Sequence, residues 1–400
     1  MSVSFSPIKE IAMSANTGLD AIKRAPIVDY DTGIKCLRIQ DVSQSKAFSN
    51  WGFTDVEERN YKKFQLKEND IFIARTGASI GVNRFISEDA QAVFNNGLIR
   101  IRVDTKKCFP KYLFYNFRTT DYQGFIESIS GGTSTQPNMQ IGALLSFEIY
   151  LPGLEEQKAI ASVLSSLDDK IDLLHRQNTT LERMAETLFR QWFVEEAQED
   201  WDEVTIADLI EFNPLRKLSK NQISTYLDMA GLDTSNFNPT GWYQRAFSSG
   251  TKFINNDTLL ARITPCLENG KTGYVSFLSE NEVGWGSTEF IVMRPKLGIH
   301  PIFAYVLARY QDFRDYAEGC MEGSSGRQRV NTDHLKQYQI RIPSKEVIQR
   351  FNEAVSAITP KLELNAKQIQ TLEKLRDNLL PKLMCGEVRV VLQAESALYA

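Results

Sequence analysis

The sequence has few of the residues that build metal sites or disulfide frameworks. Its 400 residues include five cysteines and three histidines, which are scattered and form no CxxC pair. It also has no apolar run long enough to span a bilayer, and no basic start followed by an apolar stretch. We therefore expect no metal site, no disulfide, no membrane segment and no signal peptide, and we expect reduced thiols in a cytoplasmic protein.

Motifs for nucleotide and base chemistry are missing as well. No GxxxxGK[ST] phosphate loop occurs, so ATP binding is unsupported. An amino-methyltransferase needs an Asn/Asp-Pro-Pro-aromatic loop, and the nearest runs, which begin at Asn213 and Asn238, lack the second proline. No acid-x-Lys nuclease cluster follows a suitable Pro-Asp pair. These absences predict a chain that is not itself an enzyme.

The charge balance leaves the binding partner open. The net charge is −4, which argues against a protein that wraps nucleic acid by bulk charge. The 46 lysines and arginines can still be segregated onto a local basic face.

Two long stretches have the apolar spacing of coiled-coil helices, with steps of three and four residues. The first lies within 154–194 and the second near the C-terminus. The seam positions of the first are Leu164, Leu167, Ile171, Leu174, Asn178, Leu181, Ala185, Leu188 and Trp192. Those of the second are Phe351, Val355, Ile358, Leu362, Asn365, Ile369, Leu372, Arg376, Leu379 and Leu383.

The ends of the second helix have their own signals. Ser344 follows a proline and is a plausible N-cap, and Pro381 with Gly386 predicts the end of the helix. Pro360 inside the pattern predicts a kink or break near Ile358. A short strand is expected over 387–392.

The chain contains an internal repeat. A shift of 191 residues superimposes the halves without gaps from about position 97 to 192, and a shift of 187 superimposes 70–75 on 257–262. Matched residues include Pro110 with Pro301, Arg118 with Arg309, Gly132 with Gly323, Ser134 with Ser325, and Pro152 with Pro343. One duplicated unit, a globular part followed by a long helix, accounts for the chain.

The repeat predicts a mixed fold of the α/β (α+β) type. Two globular domains are joined by two long antiparallel coiled-coil helices with an internal two-fold repeat. The predicted boundaries are 1–152 for the first domain, 153–196 for the central helix, 197–342 for the second domain and 343–400 for the C-terminal helix and tail. Asn178 and Asn365 both fall mid-helix at seam positions, so we predict that they lie close together and set the helix register. Alternatively, each asparagine sits at a loose spot beside solvent.

Two domains held at a fixed separation by a helical rod suit a ligand with two-fold symmetry. Duplex DNA read at two half-sites is the obvious one. Because the domains differ in sequence, the half-sites should differ, and the rod should set the spacer between them.

Several stretches resemble specificity subunits of type I restriction-modification enzymes. LPGLEEQKAIASVLSSLDDKID through TLFRQWFV resembles their central conserved region, and IPSKEVIQRFN through LEKLRDNLLPKLMCGEVRV resembles their second conserved region. DTLLARITPCLENGKTG (257–273) and the GGTSTQPN loop are similar to segments of their target recognition domains. The first domain has no counterpart to residues 265–270, which makes analogy between the domains unsafe at that point.

The resemblance implies a non-catalytic subunit that binds double-stranded DNA. Its two domains would be target recognition domains 1 and 2, each reading half of a split site. Two methyltransferase subunits would bind through the long helices, and two restriction subunits, which carry motor and nuclease, would complete the complex. S-adenosylmethionine, ATP and Mg would belong to those partners, which would methylate an adenine in each half-site.

The polar loops 131–140 and 322–331 match each other in the repeat and are rich in side chains that pair with bases or phosphates. Gln136, Asn138 and Gln140 can bond adenine, while Arg327 and Arg329 can bond guanine. The candidate DNA-contacting residues are Arg75, Ser134, Gln136, Asn138, Gln140, Tyr243, Arg245, Arg262, Lys271, Ser325, Arg327, Gln328, Arg329 and Asn331. The alternatives are that the loops only cap the next short helix and that Arg75 and Arg262 form structural ion pairs.

Leu188, Phe189, Trp192 and Phe193 form an aromatic cluster at the end of the first long helix. One helix cannot bury all four against a single seam, so we assign part of the cluster to a methyltransferase subunit. The competing interpretation is packing against the second domain.

The class of ligand also has an alternative. The chain can instead be a protein-only scaffold whose two domains bind proteins, which the near-neutral charge favours. Replacing one domain should change a methylation pattern only if the chain reads DNA.

Overall fold

The structure is a computed structural model that describes residues 5–130, 138–234, 236–324 and 326–390. It divides into two compact units. Unit 1 comprises Met1–Asp168 and Lys374–Ala400, and unit 2 comprises Asp169–Glu373. Within the described residues, no helix is long and apolar enough to cross a membrane.

The described residues of unit 1 form two four-stranded sheets and one two-stranded ribbon. The first sheet has the strand order Ala12–Thr17, Leu98–Val103, Ile71–Ala74, Asn83–Phe85 and is antiparallel throughout. The second has the order Ile27–Val28, Phe53–Thr54, Lys35–Leu37, Ala92–Phe94, and its last two strands are parallel. The ribbon pairs Phe5–Pro7 with Glu148–Tyr150.

Unit 2 repeats this plan. Its antiparallel sheet has the order Ile210–Phe212, Phe290–Pro295, Thr258–Ala261, Thr272–Tyr274. Its second sheet has the order Tyr243–Ala246, Ile223–Leu227, Gly284–Gly286, Thr251–Phe253, again with one parallel pair. Two ribbons pair Glu203–Thr205 with Gln339–Arg341 and Met321–Glu322 with Arg329–Val330.

Three of the short helices in each unit follow the same repeat. In unit 1 they are Ile39–Ser43, Glu58–Phe64, Pro110–Asn116, Thr120–Ser130 and Ile141–Leu145. In unit 2 they are Ile206–Leu209, Ile302–Arg309, Gln311–Gly319 and Thr332–Leu335. The last three of each unit begin about 191 residues apart, as the internal match predicts. Pro110 and Pro301 stand at the start of the first matched pair of helices, where the fixed φ of proline suits the first turn.

Two long helices run through Leu154–Arg190 and Lys345–Met384, and we call them the central helix and the C-terminal helix. A π-helical turn, Gln191–Glu195, extends the central helix. Ser344 caps the C-terminal helix, with the N–H of Val347 donating to its Oγ at 3.4 Å.

The C-terminal helix ends two residues before Gly386, whose φ of 78° is typical of the glycine that follows a helix, as the sequence predicts. The break expected near Pro360 does not occur, because the helix continues through Pro360 and past Pro381. Proline removes one backbone donor, and the remaining hydrogen bonds and the apolar seam hold the helix on both sides. Residues 387–390 form no strand, and positions 391 and 392 lie outside the described residues.

Within unit 2 the two long helices pair in antiparallel fashion. Ile171 and Leu174 pack with Ile369 in one small buried cluster. Asn178 and Asn365, which the spacing predicts to lie close together, are hydrogen bonded, with Asn365 Nδ2 donating to Asn178 Oδ1 at 2.8 Å. Both side chains are buried, and this hydrogen bond gives each buried amide a partner on the other helix.

Within unit 1 the helix ends also run in opposite directions. Ile160 and Leu164 share the core of the first domain with Leu380 and Leu383. The carboxylate of Asp168, at the edge of this core, accepts hydrogen bonds from Arg118 (2.8 Å), Tyr115 (2.9 Å) and Arg376 (3.0 Å). One carboxylate therefore ties the first domain to both helices.

The aromatic cluster at the end of the central helix belongs largely to the interior of unit 2. Phe189 and Phe193 are 1% and 4% exposed and pack against Phe303. The prediction that these two bind a partner is therefore wrong, because the helix face continues from the seam into the domain core. Leu188 and Trp192 are only partly buried against the same core.

Each domain buries an aspartate at a matched place. Asp70 pairs with Arg102 on the neighbouring strand, and Asp257 pairs with Arg294 in the same way. Each also accepts the backbone N–H of the residue three positions earlier. Burial raises the pKa of Asp257, against the opposing effect of these bonds. A buried carboxylate requires such partners, so the repeat extends to the electrostatics of the core.

Candidate nucleic-acid interface

In each domain the end of the polar loop lies against the end of a central strand. The N–H of Met139 donates to the carbonyl oxygen of Arg75 at 2.8 Å. In the second domain the N–H of Val330 donates to the carbonyl oxygen of Arg262, also at 2.8 Å. The strand-end arginine and the loop, which the sequence presents as separate features, are thus one site.

The residue just before this hydrogen bond is equivalent in the two domains. Asn138 bridges to Thr76, and Arg329, 191 positions later, bridges to Ile263 in the same antiparallel manner. The backbone of this position, which we call the matched position, is held by strand pairing. Its side chain is exposed in both domains.

In the first domain Arg75 orients the side chain at the matched position. Its Nε donates to Oδ1 of Asn138 at 3.0 Å. Gln140 is exposed at the start of the next helix and makes no capping hydrogen bond. Ser134 and Gln136 lie outside the described residues.

In the second domain the orienting group is a carboxylate, Glu289. Arg329 donates from Nε to both carboxylate oxygens at 3.0 Å and from Nη2 to Oε1 at 2.8 Å. These bonds raise the pKa of Arg329. Arg262 Nε lies 4.0 Å from the same carboxylate. Arg329 therefore forms a close ion pair with Glu289. Arg262 forms a longer one, which was the alternative for the strand-end arginines, whereas Arg75 bonds the amide of Asn138.

Asn331 has a structural role. Its Oδ1 accepts the N–H groups of Asp333 (3.0 Å) and His334 (3.4 Å) at the start of a short helix, and its Nδ2 donates to Glu322. With its amide used for capping, Asn331 is not available to a base in this arrangement, which corrects its assignment as a DNA contact. The alternative that the loop caps a helix holds for this residue.

The remaining loop residues differ in exposure. The side chain of Arg327 is exposed, and Gln328 is partly buried. The carbonyl oxygen of Gln328 accepts the N–H of Thr264 at 3.1 Å, which anchors the loop to the turn after the central strand. Ser325 lies outside the described residues.

The other candidates of the second domain lie elsewhere on it. Tyr243 and Arg245 are on an exposed edge strand, and the Arg245 guanidinium lies 4.6 Å from the ring centre of Tyr226 and 5.4 Å from that of Trp285. Lys271 donates to the carbonyl oxygen of Met229 at 3.3 Å, which gives it a partner within the protein. Among the residues that the structure describes, none of these three is hydrogen bonded or ion paired to the matched position.

Sequence reasoning missed Glu289. It lies 40 positions before Arg329 and carries no motif, and its structural counterpart in the first domain is Gly97. Both residues accept the N–H of the strand-end arginine, at 3.0 Å in each case. Only the pairing of the central strands identifies it.

The described architecture defines a class: two repeated domains of mixed helix and sheet, each with an exposed polar site at a strand end, combined with two long paired helices. Among the described residues, no group of three or more His, Cys, Asp or Glu side chains is placed to hold a metal.

Comparison with known proteins gives the family. The model of the type I restriction modification DNA specificity domain matches residues 22–183 and again 198–374. The chain is 26% identical over 367 residues to the type I restriction enzyme MjaIX specificity subunit of Methanocaldococcus jannaschii, covering 83% of this chain and 82% of the relative. It is 24% identical over 406 residues to the HindI specificity subunit of Haemophilus influenzae, covering 82% and 88%.

A solved structure has the same fold. The type-I restriction-modification system S subunit from M. genitalium superimposes with a TM-score of 0.61 at 17% identity, covering 96% of each chain. The chain belongs to the family of type I restriction-modification DNA specificity domains. It is a specificity subunit, a non-catalytic component of a family that works with DNA in type I restriction-modification complexes.

Proposed function

We propose that each domain reads one half of a bipartite, asymmetric DNA site. The observation that carries this proposal is the matched position, where equivalent backbones present an amide in one domain and a guanidinium in the other. Both groups pair with base edges in the major groove, and they favour different bases. Two related domains with different side chains at one place suit a site whose halves differ.

The long helices, on this proposal, set the spacer between the half-sites and dock two methyltransferase subunits, through which two restriction subunits join. S-adenosylmethionine, ATP and Mg would be bound by those partners. Supporting the docking, four exposed apolar side chains recur on the helices at the repeat distance. Leu173 and Met184 on the central helix match Leu364 and Leu375 on the C-terminal helix, and all four are 40–50% exposed.

An exposed apolar residue preserved in both copies of a diverged repeat favours a contact made twice. On each helix the two residues are eleven positions apart, which is about three turns and places them on the same face. Leu188 and Trp192 remain candidates for the same partner, since both keep part of their surface exposed. Trp192→Ala should weaken methyltransferase association in gel filtration while the domains stay folded; unchanged assembly would contradict this role.

The test is a map of methylated adenine across a host genome with and without this chain, with its partner methyltransferase present. A split motif that disappears with the chain supports the proposal and defines both half-sites. An unchanged map, obtained with a partner that is active beside another specificity subunit, would contradict it and favour a protein-only scaffold.

A further inference from the structure

The matched position carries more information than the presence of a polar side chain, because its neighbours decide which edge of that side chain faces outward. In the first domain the neighbour is Arg75, and in the second it is Glu289. One is a pure donor and the other a pure acceptor. Each leaves a different pattern of hydrogen-bonding groups on the exposed side.

A guanidinium can only donate, so Arg75 requires that Asn138 turn its amide oxygen inward. That oxygen keeps one lone pair, and Nδ2 has no partner among the residues that the structure describes. The outward edge of Asn138 therefore offers one acceptor beside one donor. This is the complement of adenine, whose N6 donates and whose N7 accepts in the major groove.

Glu289 occupies the Nε side of the Arg329 guanidinium. The end of the guanidinium, formed by Nη1 and the second N–H of Nη2, is not used by the carboxylate. Among the described residues, Nη1 makes one weak bond, of 3.4 Å, to the carbonyl oxygen of Arg327. Two parallel donors on an exposed edge complement O6 and N7 of guanine. An arginine held by a carboxylate loses less rotamer freedom on binding than a free one.

The backbone at Arg329 is also held in place, by strand pairing on both sides. Arg329 lies on a strand that pairs with Met321–Glu322 on one side and with the chain after Ala261 on the other. Base-reading groups on paired strands are positioned more accurately than groups on loops.

We propose that the matched position is a base-reading position in both domains, with Asn138 contacting an adenine in one half-site and Arg329 a guanine in the other. Arg75 and Glu289 are the positioning residues. This inference rests on the proposed function, and it adds the identity of one base in each half.

The test uses the full chain assembled with its methyltransferase. Once the wild-type split motif is mapped, Arg329→Gln should relax or switch one guanine of one half-site, and Asn138→Ala should relax one adenine of the other half-site. Binding to duplexes altered at that base should lose its discrimination, about 5- to 100-fold in the wild type for a bidentate contact. Arg341→Ala, which changes an exposed arginine on another strand of the second domain, should leave the motif unchanged.

Conservative variants separate reading from other roles. Arg329→Lys should keep guanine with weaker discrimination, because lysine also bonds guanine. Glu289→Gln should weaken discrimination at the same base alone, because it leaves Arg329 less well oriented. A motif unchanged in Arg329→Gln and Asn138→Ala, or affinity lost equally for all bases as a phosphate contact would give, would overturn the inference. A wild type with no chain-dependent motif would instead refute the proposed function.

Discussion

Glu282 has an environment unlike that of an ordinary surface carboxylate. Its Oε1 accepts the N–H and hydroxyl of Thr225 at 2.8 and 2.6 Å and the hydroxyl of Ser224 at 3.1 Å, and its Oε2 accepts the N–H of Ser279 at 3.0 Å. Burial raises the pKa of Glu282, but these hydrogen bonds outweigh it and lower the pKa to about 2. The carboxylate thus joins a strand to a loop of the second domain.

This environment predicts a pH-dependent contribution to stability. Since the folded pKa lies below the unfolded value, the stabilisation is present above about pH 4.5 and is lost as the pH falls toward 2. Glu282→Gln should lower the free energy of unfolding by about 1–2 kcal/mol at neutral pH, after allowing for solvent screening. Urea unfolding of both proteins from pH 7 to pH 3 checks this, and the difference should shrink with acid.

Glu280→Gln is the matched control, because Glu280 is exposed two positions away. It should follow the wild type at every pH. An equal loss in both variants, or a difference that does not depend on pH, would show that the hydrogen bonds of Glu282 are not the cause.

At this scale, sequence predicts residue types better than their partners. The polar loops and strand-end arginines could be selected because the repeat aligns them. The bond from Arg329 to Glu289 could not, since it depends on which strands pair and has no acidic counterpart in the first domain. Asn331 shows the reverse error: an amide suited to a base is used to cap a helix.

Among the elements, the paired long helices contain a buried layer of amide side chains. Asn365 Nδ2 bonds Asn178 and lies 3.4 Å from Gln177 Oε1. Their neighbours along the seam, Leu174 and Ile369, are apolar, so a shift of either helix along the other would separate the two amides and leave both buried without partners. The pair therefore favours a single register.

A double-mutant cycle measures this coupling. Asn365→Leu alone should lower the free energy of unfolding by about 1–3 kcal/mol, because the buried amide of Asn178 loses its partner. The double variant with Asn178→Leu should recover most or all of that loss, since leucine at both positions packs without unsatisfied groups. Asn378→Leu, at an exposed position of the C-terminal helix, should change stability by less than about 0.5 kcal/mol. Losses that simply add would contradict the coupling.

Element boundaries followed the sequence where a repeat or an apolar period was present. The helices after Pro110 and Pro301 and both long helices are examples. The break predicted at Pro360 does not occur. The packing of the apolar seam on both sides of Pro360 outweighs the local cost of one missing hydrogen bond. The prediction that Phe189 and Phe193 bind a partner failed because the helix continues from the seam into a domain core. Apolar periodicity does not distinguish these two environments.

At the scale of the whole molecule, the exposed apolar pair occurs twice, once on each long helix. On the proposed function, this predicts two bound methyltransferase subunits. Leu173→Asp and Leu364→Asp should each remove one copy, since a charge on the apolar contact must be desolvated. The double variant should bind neither. Native mass spectrometry of the purified complexes would give the copy number directly.

Thr179→Asp is the control, at an exposed position on a different face of the central helix. It should retain both copies. A double variant that still assembles with two methyltransferase subunits would assign the docking surface elsewhere.

The exposure of the matched position has a consequence for how such a protein changes over generations. Its backbone is fixed by strand pairing that does not involve the side chain, so substitutions there cost little in folding. If the matched position reads a base as proposed, a lineage can acquire a new recognition sequence through a single codon in one domain, without any change in the long helices.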